Sequence, residues 1–323
     1  MTYRLFFRML AGAFLFVAAA ACWAQGFPNR PLKLIVGFAA GGGSDFVARA
    51  MAQEMSAVLG QPVLIDNRAG AGGAIAARAV SGADPDGYTL LLGSAANFVI
   101  NPTLLKNLPY DPADFMPVGA VARFSYVLLV RKDLPVQSVA DLVAYAKRAP
   151  DALTIGSAGN GSNTHLAAAA FMAATGTKLR HVPYKGTSPA LTDLMGGTID
   201  VLFDSIPTVL GQVKSGSLRA LAVAGSEREA VLPELPTVAE SGGKGFSASN
   251  WFALFVPKAT PQDVIVKLNA AMQKALATEK LKNQLIRSGN LPLPGSPNDL
   301  AALVARETAS YRILIQSSGI TAE

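Results

Sequence analysis

After Lys33 the chain alternates short β-type runs with helical stripes, separated by Gly, Pro, Asn or Asp, and this alternation restricts the fold more than any other feature. "KLIVGF" has the character of a strand. The stretch "GFAAGGGSDFVARAM" then leads into a helix with Phe46, Val47, Ala50, Met51, Met55, Val58 and Leu59 at helical spacing, closed by Gly60 as C-cap. "PVLID" is a second strand. After "NRAGAGG" come a helix from about Ala74 to Val80, a Pro85-Asp86-Gly87 turn and the strand "YTLLLG", a βαβαβ order that implies parallel pairing. The pattern recurs as "LTIGS", a helix from Asn163 to Ala174, "RHVPY", a helix through Leu191 to Met195, "DVLFD", a helix to Lys214 and "LRALAVAG". This second copy is expected to be another parallel α/β unit. Two apolar strands, Tyr126 to Val130 and Trp251 to Pro257, lie between and after the copies and are candidate hinges. From Pro261 the chain is helical by its stripes (Val264, Ile265, Leu268, Met272; Leu300, Leu303, Val304), has no sheet of its own and should pack on the first unit.

A chain of 323 residues with this organisation implies two domains of ordinary size. Arg4 and Arg8 precede an apolar run from Met9 to Ala21, too short to span a membrane, which marks residues 1–24 as a secretory signal leaving a mature chain near Gln25. Lipidation at Cys22 is the alternative, although "AAA" before it lacks the usual leucine. Either way, the folded part holds no disulfide, because Cys22 is the only cysteine. Removing Arg4 and Arg8 lowers the net charge from +6 to +4, with no basic run of the kind that binds nucleic acid. With two histidines and no retained cysteine, no cofactor or metal ligand set is visible.

In open parallel α/β sheets, ligands bind beyond the carboxyl ends of the strands. Here those loops are "AAGGGSD", "SAAN" (Ser94 to Asn97), "SAGNGSNTH", "YKGTS" and "DSIP", all rich in residues that admit close backbone approach and supply short hydrogen-bonding groups. The Gly41 to Gly43 loop is either a tight strand-to-helix turn or an anion cradle. It fits neither the P-loop, which needs Lys then Ser or Thr, nor the dinucleotide fingerprint, which needs glycine where Phe46 stands. Asp45 fits a first-turn acid paired with Arg49 at i+4, Ser162 an N-cap, and Lys185 a solvated charge. Ser157, His165 and Asp204 have the residue types of a nucleophilic triad, but "IGSAG" is not the G-x-S-x-G elbow and His165 falls in a helical first turn. His181, in a strand, is the weaker histidine candidate.

Taken in order, "RPLKLIVGFAAGGGSDFVAR", "VLIDNRAGAGGAIAA", "DPDGYTLLLGS", "NPTL", "GSAGNGSNTHLAA", "HVPYKGTSPALTDLMGGTIDVLFDSIP" and "SGSLRALAV" closely resemble the Bug-type periplasmic receptors of tripartite tricarboxylate transporters, over nearly the whole mature chain. The resemblance implies an α/β fold of two lobes (a type II Venus flytrap), each a doubly wound, mainly parallel sheet. The first lobe would run from about Gln25 to Arg123 plus Trp251 to Glu323, with residues 124–250 as the second. It implies a monomeric binding protein, not an enzyme, that closes on a small carboxylate (a di- or tricarboxylate, amino acid or aromatic acid) and serves integral-membrane permease subunits. The alternatives are a ligand sensor for a signalling receptor and a secreted hydrolase using Ser157, His165 and Asp204. The residues implied to line the crevice are Ala40, Gly42, Gly43, Asp45, Ser94, Asn97, Ser157, Gly159, Asn160, Gly161, Ser162, His165, Thr187 and Asp204, with Lys185 beside them. Family members commonly carry prolines where this chain has Ala39 and Ala40. The expected anion is a carboxylate held by backbone N–H groups near Gly42, Gly43 and Gly161, with Asp204 accepting from a ligand hydroxyl, ammonium or bridging water.

Overall fold

The computed structural model describes residues 26–318, apart from 106 and 185. The expected signal segment, Cys22 and Lys185 lie outside the described residues.

Strand β1 (Leu32–Val36) pairs in parallel with β2 (Val63–Asn67) and β3 (Thr89–Ser94), Leu34 lying opposite Ile65 and Leu90. The connecting helices α1 (Gly43–Leu59) and α2 (Ala74–Ser81) confirm the βαβαβ order. On α1, Val47, Ala50, Met51 and Met55 are buried, whereas Val58, at the edge of the predicted stripe, is 39 % exposed. The helix stops at Gly60, whose N–H donates to Ser56 O. Against this apolar face packs α8 (Gln262–Ala277) through Ile265, Leu268 and Met272, so the C-terminal region does return to the first unit.

The second unit holds β5 (Thr154–Ser157) between β6 (Arg180–Pro183) and β7 (Val201–Ser205), all parallel. Its helices are α4 (Val139–Arg148), α5 (Asn163–Thr175), α6 (Thr187–Met195) and α7 (Ile206–Lys214). Strand β8 (Arg219–Val223) departs from expectation: it lies antiparallel on β4 (Phe115–Val130), and its one parallel contact among the described residues is an isolated bridge from Val223 to Thr237. The reason is β4 itself, which runs against β7 and presents its other edge to the chain returning from α7.

Strand β4 spans Phe115–Val130, of which only the last five residues were legible as a strand. Its first part pairs antiparallel with β9 (Ser249–Pro257), ending at Ser125 opposite Ser249, and its last part pairs with β7 and β8. Strand β9 also pairs with β3, which gives the order β2-β1-β3-β9-β4-β7-β5-β6. The two apolar strands read as hinges are therefore the central ribbon that joins two sheets, and the architecture is a two-lobed α/β fold. Two further elements complete the first lobe: α9 (Glu279–Arg287) and the two-residue strand β10 (Leu291–Pro292), which pairs with β4 at Arg123. The last helix, α10 (Pro297–Ser318), covers β4 and also reaches α5 of the second lobe.

Candidate functional site

The glycine loop after β1 is held from below by Asp45. Its Oδ2 accepts from the Gly41 N–H (2.9 Å) and from Arg49 Nε (2.8 Å), and its Oδ1 from Asn67 Nδ2 (3.1 Å). Burial pushes this carboxyl up, but the bonds from Arg49, Gly41 and Asn67 outweigh it and hold the group below its ordinary value. Asp45 is thus a brace with both oxygens in use, as its spacing from Arg49 predicted. The first N–H groups of any helix lack an intrahelical partner, and for Gly42, Gly43 and Ser44 none is supplied by another described residue. At Gly43 an added Cβ would meet nothing nearer than Pro207 Cβ, 4.0 Å away in the first turn of α7. The N-termini of α1 and α7 therefore come close to each other.

The segment after β3, expected as a loop, winds into a π-helical turn (Ala96–Ile100) running into α3 (Asn101–Leu104). The wide turn inserts Asn97 back beneath Ser94, whose N–H (3.2 Å) and Oγ (3.4 Å) donate to Asn97 Oδ1. Asn97 Nδ2 is buried without a partner and presses on Gly73 so closely that a Cβ there would lie 2.7 Å from it.

In the second lobe the 157–165 loop is bonded mostly to itself. Ser162 caps α5 by accepting from the His165 N–H (3.2 Å), as predicted, and Thr164 Oγ1 accepts from the Ala158 N–H (2.9 Å). The Gly161 N–H donates to His165 Nδ1 (3.0 Å), which corrects the expectation that this N–H is offered to an anion. Gly161 has φ +71°, and a Cβ on it would lie 2.3 Å from Leu104 Cδ2 of the first lobe, so only glycine allows this contact between lobes.

His165 and His181 stack, centroids 3.9 Å apart and 2° from parallel. Burial, and for His165 the neighbouring His181, push both imidazoles down, His165 to about 4, so the pair is neutral at pH 7. Ser157 Oγ bonds Nε2 of His181 (2.6 Å), not His165, and Asp204 meets Ser205 and Thr187 instead of an imidazole. The triad considered from sequence is not assembled. Its residues are pulled apart because His165 spends Nδ1 on its own loop, while the β5–β6 register sets His181 opposite Ile155, from where its ring reaches Ser157 two residues on.

Asp204, the last residue but one of β7, is 1 % exposed. Its Oδ1 accepts from the Ser205 N–H (2.7 Å), and its Oδ2 is buried with no partner. Burial pushes the carboxyl up to about 7, against the weaker pull of the Ser205 N–H and of the nearby Ser205 and Thr187 hydroxyls, neither of which reaches hydrogen-bonding geometry on Oδ2. Beside it on β4 stands Tyr126, whose phenol burial drives strongly upward and which lies in reach of Asn163 and Asn250. Asn250 Oδ1 in turn accepts from the Trp251 N–H (2.8 Å) and the Ala95 N–H (3.4 Å), so polar groups run from Ser94 and Asn97 past Asn250 and Tyr126 to Asp204 across the neighbouring strands β3, β9, β4 and β7. Tyr126 and Asn250 were not singled out from sequence, Asn163 was passed over within the Ser157 to His165 loop, and His181 was ranked the weaker histidine. Only Asn250 carried a signal, a polar residue at the mouth of an apolar strand.

Ala40 and Asn160 are exposed at the tips of the two loops, and Gly159 and Thr187 are half-buried. Among the described residues no three of His, Cys, Asp and Glu are grouped to hold a metal, and no helix is long and apolar enough to cross a membrane.

The model of the tripartite tricarboxylate transporter family receptor matches residues 47–320. Protein BugT of Bordetella pertussis is 36 % identical over 318 residues, covering 97 % of this chain and 98 % of BugT. The structure of R. palustris Rpa4515 with adipate aligns with a TM-score of 0.87 at 37 % identity, over 92 % of this chain and 99 % of that one. The periplasmic binding protein BugD aligns with a TM-score of 0.84 at 36 % identity, over 92 % of this chain and all (100 %) of BugD. The family is described as a receptor family, and BugD as a periplasmic binding protein. By family model, sequence and structure together, the chain belongs to the tripartite tricarboxylate transporter receptor family.

Proposed function

We propose that this chain is an exported periplasmic receptor, cleaved after a signal of about residues 1–24, that captures a small carboxylate between its lobes without turning it over and delivers it to the membrane permease of a tripartite tricarboxylate transporter. One observation carries the reading: the unpartnered first turn of α1 comes close to the first turn of α7, and Asn97 Nδ2 and Asp204 Oδ2, one from each lobe, are buried without partners. Neighbouring helix N-termini concentrate N–H groups and positive potential, which suits an anion, and unsatisfied buried groups are costly unless something pairs with them.

The lobe division near residues 124 and 250 is supported by the change of partners along β4 after Ser125. Within the site, Gly42, Gly43 and Ser94 with Asn97 act from the first lobe, and Asn160, Thr187 and Asp204 from the second. Ser157, Gly161, Ser162 and His165 shape the second-lobe loop, and Asp45 braces the first. The adipate in Rpa4515 makes dicarboxylates the first class to try.

Thermal-shift screening of residues 25–323 against a panel of di- and tricarboxylates, amino acids and aromatic acids tests it. An acid present at 100 times its Kd stabilises by about 2.7 kcal/mol. Recovery of that acid unchanged after incubation is expected; a panel without any shift, or conversion of the bound acid, would overturn the reading.

A further inference from the structure

We propose that Asp204 takes part in ligand capture as a neutral carboxylic acid, its Oδ2 proton donated to an oxygen of the ligand carboxylate, so that binding of the anion is coupled to proton occupancy of this one side chain. The inference rests on the receptor reading above and replaces the acceptor role expected of Asp204 from sequence.

The geometry is one-sided. Oδ1 is satisfied by the Ser205 N–H at 2.7 Å, whereas Oδ2 is buried and bonded to nothing. No Lys or Arg among the described residues pairs with Asp204. An ionised carboxylate here would hold a bare, desolvated oxygen and would repel an incoming anion. A protonated one converts the orphan oxygen into a donor, and an acid O–H meeting a carboxylate is among the strong, short hydrogen bonds.

The surroundings favour the neutral form. From β4 the titratable neighbour is Tyr126, a phenol kept protonated by burial. From α6 comes Thr187, and from the start of α7 come Ser205 and Thr208, which bond each other at 2.6 Å. The two histidines of α5 and β6 are engaged with Gly161, Ser157 and each other, and are neutral at pH 7. Burial lifts the Asp204 carboxyl to about 7, so the protein is half-protonated there near neutrality. Above that midpoint each captured anion brings one proton from solvent onto Oδ2. No covalent bond of the ligand changes, and Asp204 returns the proton to solvent when the anion is released.

The experiment is calorimetric titration with adipate, or with the panel acid giving the largest shift, between pH 7 and pH 9, where such acids are fully ionised, in buffers of different ionisation enthalpy. For a midpoint near 7 the Kd should rise roughly fifty-fold over that range, with uptake approaching one proton at pH 9. Asp204→Asn retains a donor that does not titrate, so it should bind with nearly the same Kd at both pH values and take up no proton. In the free protein, the 13C carboxyl resonance that Asp204→Asn removes should titrate near pH 7. A Kd of the parent that does not change with pH, or a carboxyl resonance titrating near pH 4 (as an ammonium from Lys185 would impose), would overturn the role of Asp204 while leaving the receptor intact. Binding by no acid of the panel would overturn the receptor reading and this role with it.

Discussion

Gly43→Asp is the sharpest perturbation of the proposed anion site, because the fold tolerates it and the ligand should not. The nearest atom to a new Cβ is Pro207 Cβ at 4.0 Å, so the side chain enters open space. Position 43 opens α1, where a carboxylate complements the helix dipole by about 0.3–1 kcal/mol, and Asp45 two residues on does not share its face. The melting temperature should therefore hold or rise slightly. Binding should collapse, since a carboxylate about 5 Å from the ligand's own, at an effective dielectric near 20, costs about 3 kcal/mol, a loss of roughly 150-fold. Gly43→Ala is the uncharged control and should keep the Kd within about threefold, because it removes no hydrogen-bonding group and its methyl has room. Titration calorimetry of both variants, each first shown to melt cooperatively, supplies the comparison. If Gly43→Asp bound like the parent, the carboxylate would not sit at the first turn of α1, and the argument from neighbouring helix ends would be wrong.

Gly161→Ala combines a left-handed backbone (φ +71°) with an overlap on Leu104 Cδ2, so urea denaturation should show a loss of about 2–4 kcal/mol; an unchanged midpoint would refute it. Asp200→Asn removes the charge that binds Arg131 Nε at 2.6 Å and the Thr154 N–H at 2.7 Å; a loss of about 2–3 kcal/mol by the same assay is expected, and a loss below about 0.5 would deny this network a structural role. The folded-state carboxyl of Asp204 titrates above its unfolded value, so the folded protein holds the extra proton between about pH 4 and 7 and this group's share of stability falls as pH rises through that window. Asp204→Asn should consequently gain stability relative to the parent, by about 2–4 kcal/mol more at pH 8 than at pH 4, and an equal difference at the two pH values would contradict the raised carboxyl.

What was legible in the sequence was what short spacing encodes. The α1 stripe, the stop at Gly60, the Asp45–Arg49 pair and the Ser162 cap are all set within four residues, and each is present. The first part of β4 was not legible, because Pro117 and Gly119 interrupt its alternation and the pairing with β9 shifts register at both interruptions that follow, between Pro117 and Gly119 and between Ala120 and Ala122. The site divides in the same way. Glycine-rich loops at strand ends could be seen, but the pairing of Ser157 with His181 depends on the register of two strands, Ile155 lying opposite His181, and no local signal carries it. Nor does any residue pattern announce that Gly161 spends its N–H on His165, or that one oxygen of Asp204 is left bare.

The crossing of β4 and β9 also sets an order of assembly. Residues 126–248 are contiguous, and their two ends are tied together at Ala224, whose N–H donates to Tyr126 O and whose carbonyl accepts from the Ala248 N–H. That half of the molecule can close its sheet as soon as its own chain is complete. The other half cannot, since β3 needs β9, and Leu91 waits for Phe255. A chain delivered from its N-terminus thus holds β1, β2 and β3 with an open sheet edge until the later half has been threaded past. Long loop closure of this kind is slow and leaves apolar edges exposed meanwhile. Circular permutants that begin at Ser249 would make this half contiguous as well, with β9 already present when β3 is made, and should refold faster than the natural order while reaching the same native state.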